Sequence, residues 1–200
     1  MFLILCGKSA SGKDTIAKRL CRRGFEPLIS YTTRPMREGE RDFVDYVFLT
    51  KKDFEQRIAE DRFIEYRSYE TLVDGKKDIW YYGTPKRDKD DLLTAEKDFV
   101  IVLDLEGAEK FMNYYGRQNC LCCFIGADKQ TRTERAMKRG SFNKTEWERR
   151  LESDDLDFRE DKLLELTDIA VLNGPFNSIS QAVSKIIDAV ECRFYDNKED

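Results

Sequence analysis

The stretch MFLILCGKSASGKDT, residues 1–15, decides the fold of this chain. Gly7, Gly12 and Lys13 have the GxxxxGK spacing of a phosphate-binding loop, whose backbone N–H groups point at phosphate oxygens. The apolar residues before the loop predict a buried strand, and apolar residues at helical spacing over 15–23 predict a helix after it. Because a glycine-rich turn without a ligand does not require these flanks, the order strand, loop, helix favours a functional phosphate site.

The loop carries the groups that a nucleoside triphosphate needs. Lys13 supplies a cation for the β- and γ-phosphates, and the positive end of the following helix points at them. The position after Lys13 usually holds a Ser or Thr whose hydroxyl binds a metal ion, but here it is Asp14. Since magnesium prefers hard oxygen ligands, Asp14 is a candidate magnesium ligand, directly or through water, and Thr15 would donate to a phosphate oxygen. The expected nucleotide-binding residues of the loop are Gly7, Ser9, Ala10, Ser11, Gly12, Lys13, Asp14 and Thr15.

Composition excludes several classes of function. The 200 residues suit one domain, and a formal net charge of −4 leaves no basic excess for binding nucleic acid. No apolar run approaches the roughly 18 residues that span a bilayer. The short apolar start leads straight into the glycine loop, which is typical of a strand and not of a signal peptide. We therefore expect a cytoplasmic protein without membrane or nucleic-acid partners.

The cysteines and the absence of histidine narrow the chemistry further. With no histidine in the chain, Ser-His-Asp and Cys-His hydrolase arrangements and histidine-ligated metal centres are excluded. Of the six cysteines, Cys120, Cys122 and Cys123 fall inside an apolar run. They lack the paired CxxC spacing of a structural zinc site, so we expect them to pack in a strand as small hydrophobic residues.

Strands and helices alternate along much of the chain. The runs 99–103 and 120–125 are continuously apolar, which indicates parallel strands covered on both faces. A further strand is expected at 168–173, and an amphipathic helix at 177–195. Thr50, three residues before an aspartate, is the expected N-cap of a shorter helix. This alternation predicts an α/β fold with a mostly parallel sheet.

Two segments do not fit the alternation: a polar, aromatic-rich one at 31–87 and a charged helical one at 130–160. Because long insertions at the ends of parallel strands carry substrate lobes and lids, we expect the first to bind an acceptor and the second to close over the site. The rest forms the core of a single domain, followed by a tail that we expect to be disordered. The core segments are 1–30, 88–129 and 161–195, and the tail is 196–200.

A second anion site is predicted in SYTTRPMREGE, residues 30–40. Arg34 and Arg37 lie three residues apart around a proline, and two guanidinium groups with forked donors suit one phosphate. Ser30 and Tyr46 would add hydroxyl donors. Taken alone, arginines on such a loop are more often solvated surface groups.

Several separated motifs carry a resemblance to a known family. They are SxTTRPxRxGE from Ser30, DYxF at 45–48, FIEY at 63–66, YYGT at 81–84 and LD at 103–104. Together with the glycine loop they extend over most of the chain, and their intervals match the family pattern without a gap from Ser30 to Glu65. The sequence resembles the guanylate kinases, which transfer a phosphoryl group from ATP to GMP.

The resemblance implies a P-loop nucleoside-monophosphate-kinase fold with a small mixed acceptor-binding lobe and a helical lid. It implies ATP and Mg²⁺ as cofactors and GMP, or dGMP, as acceptor. The acceptor phosphate would be held by Arg34, Arg37, Tyr46 and Tyr82, and the guanine by Glu65, Ser30 and Thr84. A carboxylate accepts from guanine N1–H and the 2-amino group together, whereas adenine offers no matching pair of donors.

The resemblance also assigns groups on the donor side. Asp104 would lie near the acceptor and the metal, where it is a second candidate ligand through water, and Asn173 would lie near the adenine. The lid arginines that close over the ATP phosphates would be Arg135, Arg139 and Arg150. With Lys13, Arg34 and Asp104, these arginines form the expected catalytic set, which acts by aligning the reactants and neutralising charge.

Three features depart from the family pattern. They are Asp14, an extension around Val73–Trp80 in the acceptor segment, and DLEG at 104–107 in place of DxDxQG, which leaves the role of Glu106 open. Two alternative functions remain: a related kinase acting on ribose 1,5-bisphosphate or a deoxynucleotide, and a non-catalytic guanylate-kinase-like binding module. The first does not require a guanine-reading acid, and the second typically lacks the phosphate loop. Monomer and homodimer are both open.

Overall fold

A computed structural model of the chain describes residues 1–73, 76–138, 142–175 and 177–195. The strands within these residues are β1 (Phe2–Cys6), β2 (Glu26–Pro27), β3 (Tyr31–Thr32), β4 (Val47–Phe48), β5 (Phe63–Val73), β6 (Lys76–Pro85), β7 (Phe99–Val102), β8 (Cys120–Gly126) and β9 (Ile169–Leu172). The helices are α1 (Lys13–Cys21), α2 (Lys51–Ala59), α3 (Lys89–Thr94), α4 (Leu105–Tyr115), α5 (Lys129–Met137), α6 (Lys144–Asp157), α7 (Glu160–Leu166) and α8 (Ile179–Phe194).

The core of the described chain is a parallel sheet with the strand order β2-β7-β1-β8-β9. Alternate residues of β1 face opposite sides of this sheet. Ile4 packs against α4 at Phe111, whereas Leu5 packs against α1 and α8 at Ile16 and Ile186. Because both faces are covered, the central strands are apolar at every position, as the sequence predicts, and the α/β class is confirmed.

The cysteines of β8 lie where the apolar run predicts. Cys120, Cys122 and Cys123 are buried in the sheet, and the cysteines of the described residues are free thiols. Burial raises the pKa of Cys120 to about 12, so this thiol stays neutral. The expectation that these residues act as small hydrophobic groups is confirmed.

A second sheet holds residues of the polar, aromatic-rich segment. Its strand order is β4-β3-β6-β5, with β3 parallel to β4 and the other pairs antiparallel. β5 and β6 form a long hairpin that includes much of the predicted extension at Val73–Trp80, of which residues 74 and 75 lie outside the described chain. Thr50 caps α2 by accepting from the Asp53 backbone N–H, as predicted.

Helix α1 begins two residues earlier than the sequence indicates. Its first residue is Lys13, and the residue before it, Gly12, has a φ of +97°, in the left-handed region. The turn into the helix therefore needs a glycine, and Lys13 enters the first helical turn. The last helix, α8, matches its prediction and buries Val183, Ile186 and Val190. Among the described residues, no helix is both long and apolar enough to cross a membrane.

The topology of the parallel sheet positions the candidate site. β1 ends directly before Gly7, β7 ends two residues before Asp104, and β9 ends directly before Asn173. Since the carboxyl ends of parallel strands meet at one edge of a sheet, the three residues lie at the edge where α/β proteins bind ligands.

Gly7→Ala is expected to lower the free energy of unfolding by about 2–4 kcal/mol through backbone strain and overlap. An added Cβ would lie 2.4 Å from the carbonyl oxygen of Ile125, and Gly7 has a φ of +150°. Gly24→Ala is the matched control, because Gly24 has a φ of +105° but no described atom within 4 Å of an added Cβ. Urea unfolding measures both variants, and equal losses would contradict the steric account.

Candidate functional site

A cavity of about 260 Å³ opens between the phosphate loop, the second sheet and helix α6. It brings together predicted residues from three distant parts of the sequence. The predicted residues in its lining are Gly7, Ser9, Lys13, Ser30, Tyr46, Glu65, Tyr82, Asp104 and Arg150. The cavity is also lined by residues that the sequence did not single out, among them Arg67, Tyr69, Trp80, Arg149, Asp154 and Asp157.

The phosphate loop is tightly wound around its own lysine. Lys13 Nζ donates to the carbonyl oxygens of Gly7 (2.6 Å) and Lys8 (3.2 Å), which places the ammonium group over the loop. Ala10 has a φ of +60°, an uncommon conformation for a residue with a side chain. Because the loop leads directly into α1 at Lys13, the positive end of the helix points toward the loop.

Asn173 and Arg135 pack against the loop at Ser11. The Asn173 amide donates to the Ser11 carbonyl oxygen at 2.8 Å, and Arg135 Nη1 donates to the same oxygen at 3.1 Å. Arg135 Nη2 also donates to the Asn173 carbonyl oxygen at 2.8 Å. Gly12 has no room for a side chain, because an added Cβ would lie 2.3 Å from Asn173 Nδ2. Two of the predicted donor-site residues therefore support the loop backbone.

Asp14 and Thr15 lie exposed in the first turn of α1. Burial raises the pKa of the Tyr46 hydroxyl, and the negative charge of Asp14 adds to this rise. No cluster of three or more acidic or cysteine side chains able to hold a metal lies among the described residues. A single carboxylate beside a phosphate loop fits magnesium that takes its other ligands from phosphate and water.

The two arginines of the second anion site have different surroundings. Arg34 is 3% exposed, so it is not a solvated surface group, and its guanidinium donates to Glu40 Oε1 at 2.8 Å. Burial is the largest single effect and lowers the pKa of Arg34, but the hydrogen bond to Glu40 and the nearby Glu40, Tyr82 and Tyr46 together raise that pKa overall. Glu40 Oε2 also accepts from the backbone N–H of Arg37 at 2.8 Å. Glu40 thus orients both arginines.

The charge of Arg37 is disfavoured. Burial lowers the pKa of Arg37, and the positive charges of Arg34 and Arg150 lower it further. Arg150 comes from α6, so the charges that act on Arg37 belong to its own loop and to a distant helix. Tyr46 lies 5.6 Å below the Arg34 guanidinium carbon and packs edge-on against Tyr82. An anion placed among these groups would relieve the repulsion between the arginines.

Glu65 lines the cavity next to α4. It is 7% exposed, and the Thr84 hydroxyl donates to its Oε1 at 2.6 Å. Burial raises the pKa of Glu65; the Thr84 hydrogen bond opposes this shift, and the nearby charge of Asp104 adds to it. An added Cβ on Gly107 would lie 3.3 Å from Glu65 Oε2, so the glycine makes room for the carboxylate. The predicted pair Glu65 and Thr84 is therefore in contact.

Asp104 is the N-cap of α4, where its Oδ1 accepts from the Gly107 backbone N–H at 2.7 Å. Its Oδ2 accepts from the Tyr69 hydroxyl at 2.8 Å. Arg67 forms ion pairs with Asp104 (3.8 Å), with Glu106 and with Asp157 of α6 (3.4 Å). Glu106, whose role the sequence left open, is engaged by Arg67.

The helical segment contributes arginines from α6. Arg149 and Arg150 both pair with Glu146, at 2.8 Å, on the same helix. Arg149 lines the cavity together with Arg150, although only Arg150 was predicted. Arg139 lies outside the described residues.

A sequence model of the guanylate kinase family matches residues 1–190 of the chain. The chain belongs to the guanylate kinase family. Two curated guanylate kinases support the assignment. That of Latilactobacillus sakei is 30% identical over 200 residues, covering 96% of this chain and 91% of the relative. That of Clostridium perfringens strain SM101 is 31% identical over 195 residues, covering 96% and 85%.

A solved structure agrees with the fold. The crystal structure of guanylate kinase from Anaplasma phagocytophilum superimposes with a TM-score of 0.69 at 21% identity, covering 98% of this chain and 87% of that one. The similarity supports the arrangement of a parallel sheet flanked by helices and joined to a mixed sheet. The α/β fold and the resemblance derived from the sequence are both confirmed.

Sequence reasoning missed several groups of the site, for different reasons. Glu40 closes the SxTTRPxRxGE motif, so its fixed distance from Arg34 was an available signal. Arg67 and Tyr69 follow Glu65 at a period of two, which places them on the same face of β5. Asp154 lies among other acids on a charged helix, and nothing in the sequence separates it from them.

Arg37→Met is expected to leave the thermal midpoint without anion unchanged or raised, because a disfavoured charge is removed. It should reduce the rise in midpoint caused by inorganic phosphate by about twofold or more, since one ligand group is lost. Arg41→Met is the matched control, because Arg41 lies exposed on the same loop. Thermal melts of both variants with and without phosphate measure this rise in midpoint. A rise in Arg37→Met equal to that of the wild type would contradict the assignment of an anion site.

Proposed function

We propose that the chain transfers the γ-phosphoryl group of ATP to GMP. The observation that carries the proposal is one cavity lined by the phosphate loop, by Arg150 of α6 and by the buried Glu65. Arg34 and Arg37 do not line it themselves, but Arg34 lies over the ring of Tyr46, which does. A donor triphosphate and an acceptor monophosphate each need such an anion site, and the purine needs an acid that reads its edge. Family membership supports the same activity.

The donor phosphates would bind on the loop at Gly7–Thr15. Lys13 and the N-terminal N–H groups of α1 would neutralise them, and Arg135 with Asn173 would hold the loop in shape. Asp14 would ligate magnesium that arrives with ATP, and Asp104 is a second candidate through water. When bound, that ion would neutralise charge on the phosphates.

The acceptor phosphate would lie among Arg34, Arg37 and Arg150, with the hydroxyls of Tyr46 and Tyr82 as further donors. Glu40 holds Arg34 before any ligand enters, so this guanidinium has little freedom to lose on binding. The attacking oxygen of a nucleoside monophosphate is already anionic near neutral pH, so the site needs alignment more than a general base. This fits a chain without histidine.

Glu65 would select guanine by accepting from N1–H and the 2-amino group. Thr84 holds one carboxylate oxygen in place, and Ser30 lines the same cavity. Adenine at this position would leave the buried carboxylate without matching donors, which costs more than a missing surface contact. The wall formed by Tyr69 and Trp80 would pack against the nucleoside.

We further propose that three parts of the chain have the separate roles that the sequence predicts. Segment 31–87 would act as the acceptor lobe, segment 130–160 as the lid, and the remaining segments as the core. The lid would have to exclude water from the cavity, because otherwise ATP would be hydrolysed. The positive charge of Arg150 in α6 helps to lower the pKa of Arg37 in the acceptor segment, which supports a lid that reaches both substrates.

A coupled assay of ADP release tests the function. The purified chain with Mg-ATP is tested on each common nucleoside monophosphate and on ribose 1,5-bisphosphate, which separates the kinase alternatives. We expect rapid turnover with GMP, slower turnover with dGMP and little with AMP. Turnover with the ribose compound alone, or with none of these acceptors, would overturn the proposal.

Glu65→Gln is expected to lower kcat/KM for GMP by about 10²-fold or more, because the amide offers only one acceptor to two guanine donors. The wild-type advantage should shrink as pH falls, since only ionised Glu65 accepts both bonds. Because burial raises the pKa of Glu65, the decline should begin above the ordinary glutamate range.

The ratio of wild-type to Glu65→Gln kcat/KM across pH is the measurement. Titration of the GMP phosphate affects both proteins equally and cancels in the ratio. KM for ATP should stay the same in both. A ratio that is independent of pH, or a change confined to ATP, would contradict the role of Glu65.

A further inference from the structure

A buried ion pair lies outside the predicted site. Arg132 of α5 and Asp154 of α6 are 4% and 6% exposed, and Arg132 Nη1 donates to Asp154 Oδ2 at 2.8 Å. Such a pair is often no more stabilising than two apolar residues of similar size, because both charges are desolvated. Arg132 Nε is also buried without a hydrogen-bond partner among the described residues. The pair is therefore poorly optimised for stability alone.

The pair holds one residue of the phosphate loop. The backbone N–H of Ser9 donates to both oxygens of Asp154, at 3.0 and 2.9 Å, and the Ser9 hydroxyl donates to Oδ1 at 3.1 Å. Arg132 Nη1 donates to the Ser9 carbonyl oxygen at 3.4 Å. The next residue, Ala10, has a φ of +60°. Asp154 and Arg132 thus bracket Ser9 just where the loop adopts its unusual backbone.

The same contact fixes the helix that carries the arginines. Asp154 lies four residues after Arg150 on α6, which is about one helical turn, and both side chains line the cavity. A neighbouring, more exposed ion pair joins Asp155 to Lys8 of the loop. The contacts of Asp154 and Asp155 with the loop, about one turn along α6 from Arg150, therefore fix the position of Arg150 relative to the phosphate loop.

We propose that Asp154 is a positioning residue that couples the phosphate loop to helix α6 through Ser9. Arg132 supplies the counter-charge for this buried carboxylate. Donor binding and the placement of Arg150 then depend on a single carboxylate. The inference rests on the proposed function only in taking the loop as the site of the ATP phosphates.

The wild-type protein provides the first test. Because the Ser9 N–H is held by a buried carboxylate, its hydrogen exchange should be about tenfold or more slower than that of an open loop amide. NMR exchange measurements at Ser9 need neither substrate nor turnover. A Ser9 amide that exchanges freely would overturn the proposal without any variant.

Two double variants that differ only at residue 154 provide the second test. Asp154→Ala alone would leave Arg132 buried without a counter-charge and lower stability for that reason. Arg132→Met with Asp154→Leu removes both charges and the tie to Ser9. Arg132→Met with Asp154→Asn removes the same charges but keeps an oxygen that accepts from the Ser9 N–H. Glu152→Ala, an exposed acid on the same helix, is the surface control.

In the leucine double variant we expect faster Ser9 exchange, a KM for ATP raised about tenfold and a lower kcat. KM for GMP should rise by a smaller factor than KM for ATP, because only Arg150 among the acceptor groups is displaced. The asparagine double variant should return exchange and KM for ATP to within about threefold of wild type. The proposal would be overturned if the leucine double variant had the Ser9 exchange rate and the KM for ATP of the wild type. It would also be overturned if both double variants changed these two quantities equally. If the wild type does not phosphorylate GMP, calorimetric binding of Mg-ATP replaces KM, and the two hypotheses fail separately.

Discussion

The crowding of Arg37 by the charges of Arg34 and Arg150 is the interaction on which the second anion site depends. Burial and like charge both lower the pKa of Arg37, while Glu40 accepts from the Arg34 guanidinium and from the Arg37 backbone N–H. Arg34 pairs with Glu40 and Arg150 with Glu146, whereas no ion pair joins Arg37 to a carboxylate among the described residues. This arrangement favours binding of an anionic ligand. A monophosphate with two negative charges suits it better than a single protein carboxylate would.

The carboxylates of the site show how environment assigns different tasks to similar groups. Burial is the largest single effect on Glu40 and raises its pKa, but its hydrogen bonds from Arg34 and the Arg37 backbone, with the charges of both arginines, together lower the pKa. Glu40 is therefore a fixed anion that orients donors. Glu65 is buried beside Asp104 with one hydroxyl partner, and its pKa is raised. It is therefore the acid with oxygen lone pairs left for a ligand that brings its own donors. Asp104 caps α4 and receives the Tyr69 hydroxyl, so its first task is to hold the wall beside Glu65.

The sequence predicted the parallel sheet well because each of its central strands is an apolar run that can be recognised by itself. β1, β7 and β8 are continuous apolar runs, and the glycine loop follows the first of them, so the sheet and the phosphate loop were readable from residues 1–15 and 99–125. The second anion site was predicted from motif spacing and not from burial, since nothing local indicates that Arg34 is enclosed. The partners of Arg67 and Asp154 could not be predicted, because they depend on how α4, α5 and α6 meet distant strands. Those contacts are set by packing between elements far apart in sequence, and a charged helix such as α6 gives no sign of which acid faces inward.

The most direct measurement of the central claim is a crystal structure of the protein soaked with GMP. The account predicts the phosphate among Arg34, Arg37 and Arg150, and the guanine edge within hydrogen-bond distance of the Glu65 carboxylate beside Thr84. GMP bound with its phosphate on the loop at Gly7–Thr15 and its base away from Glu65, at full occupancy, would contradict the account.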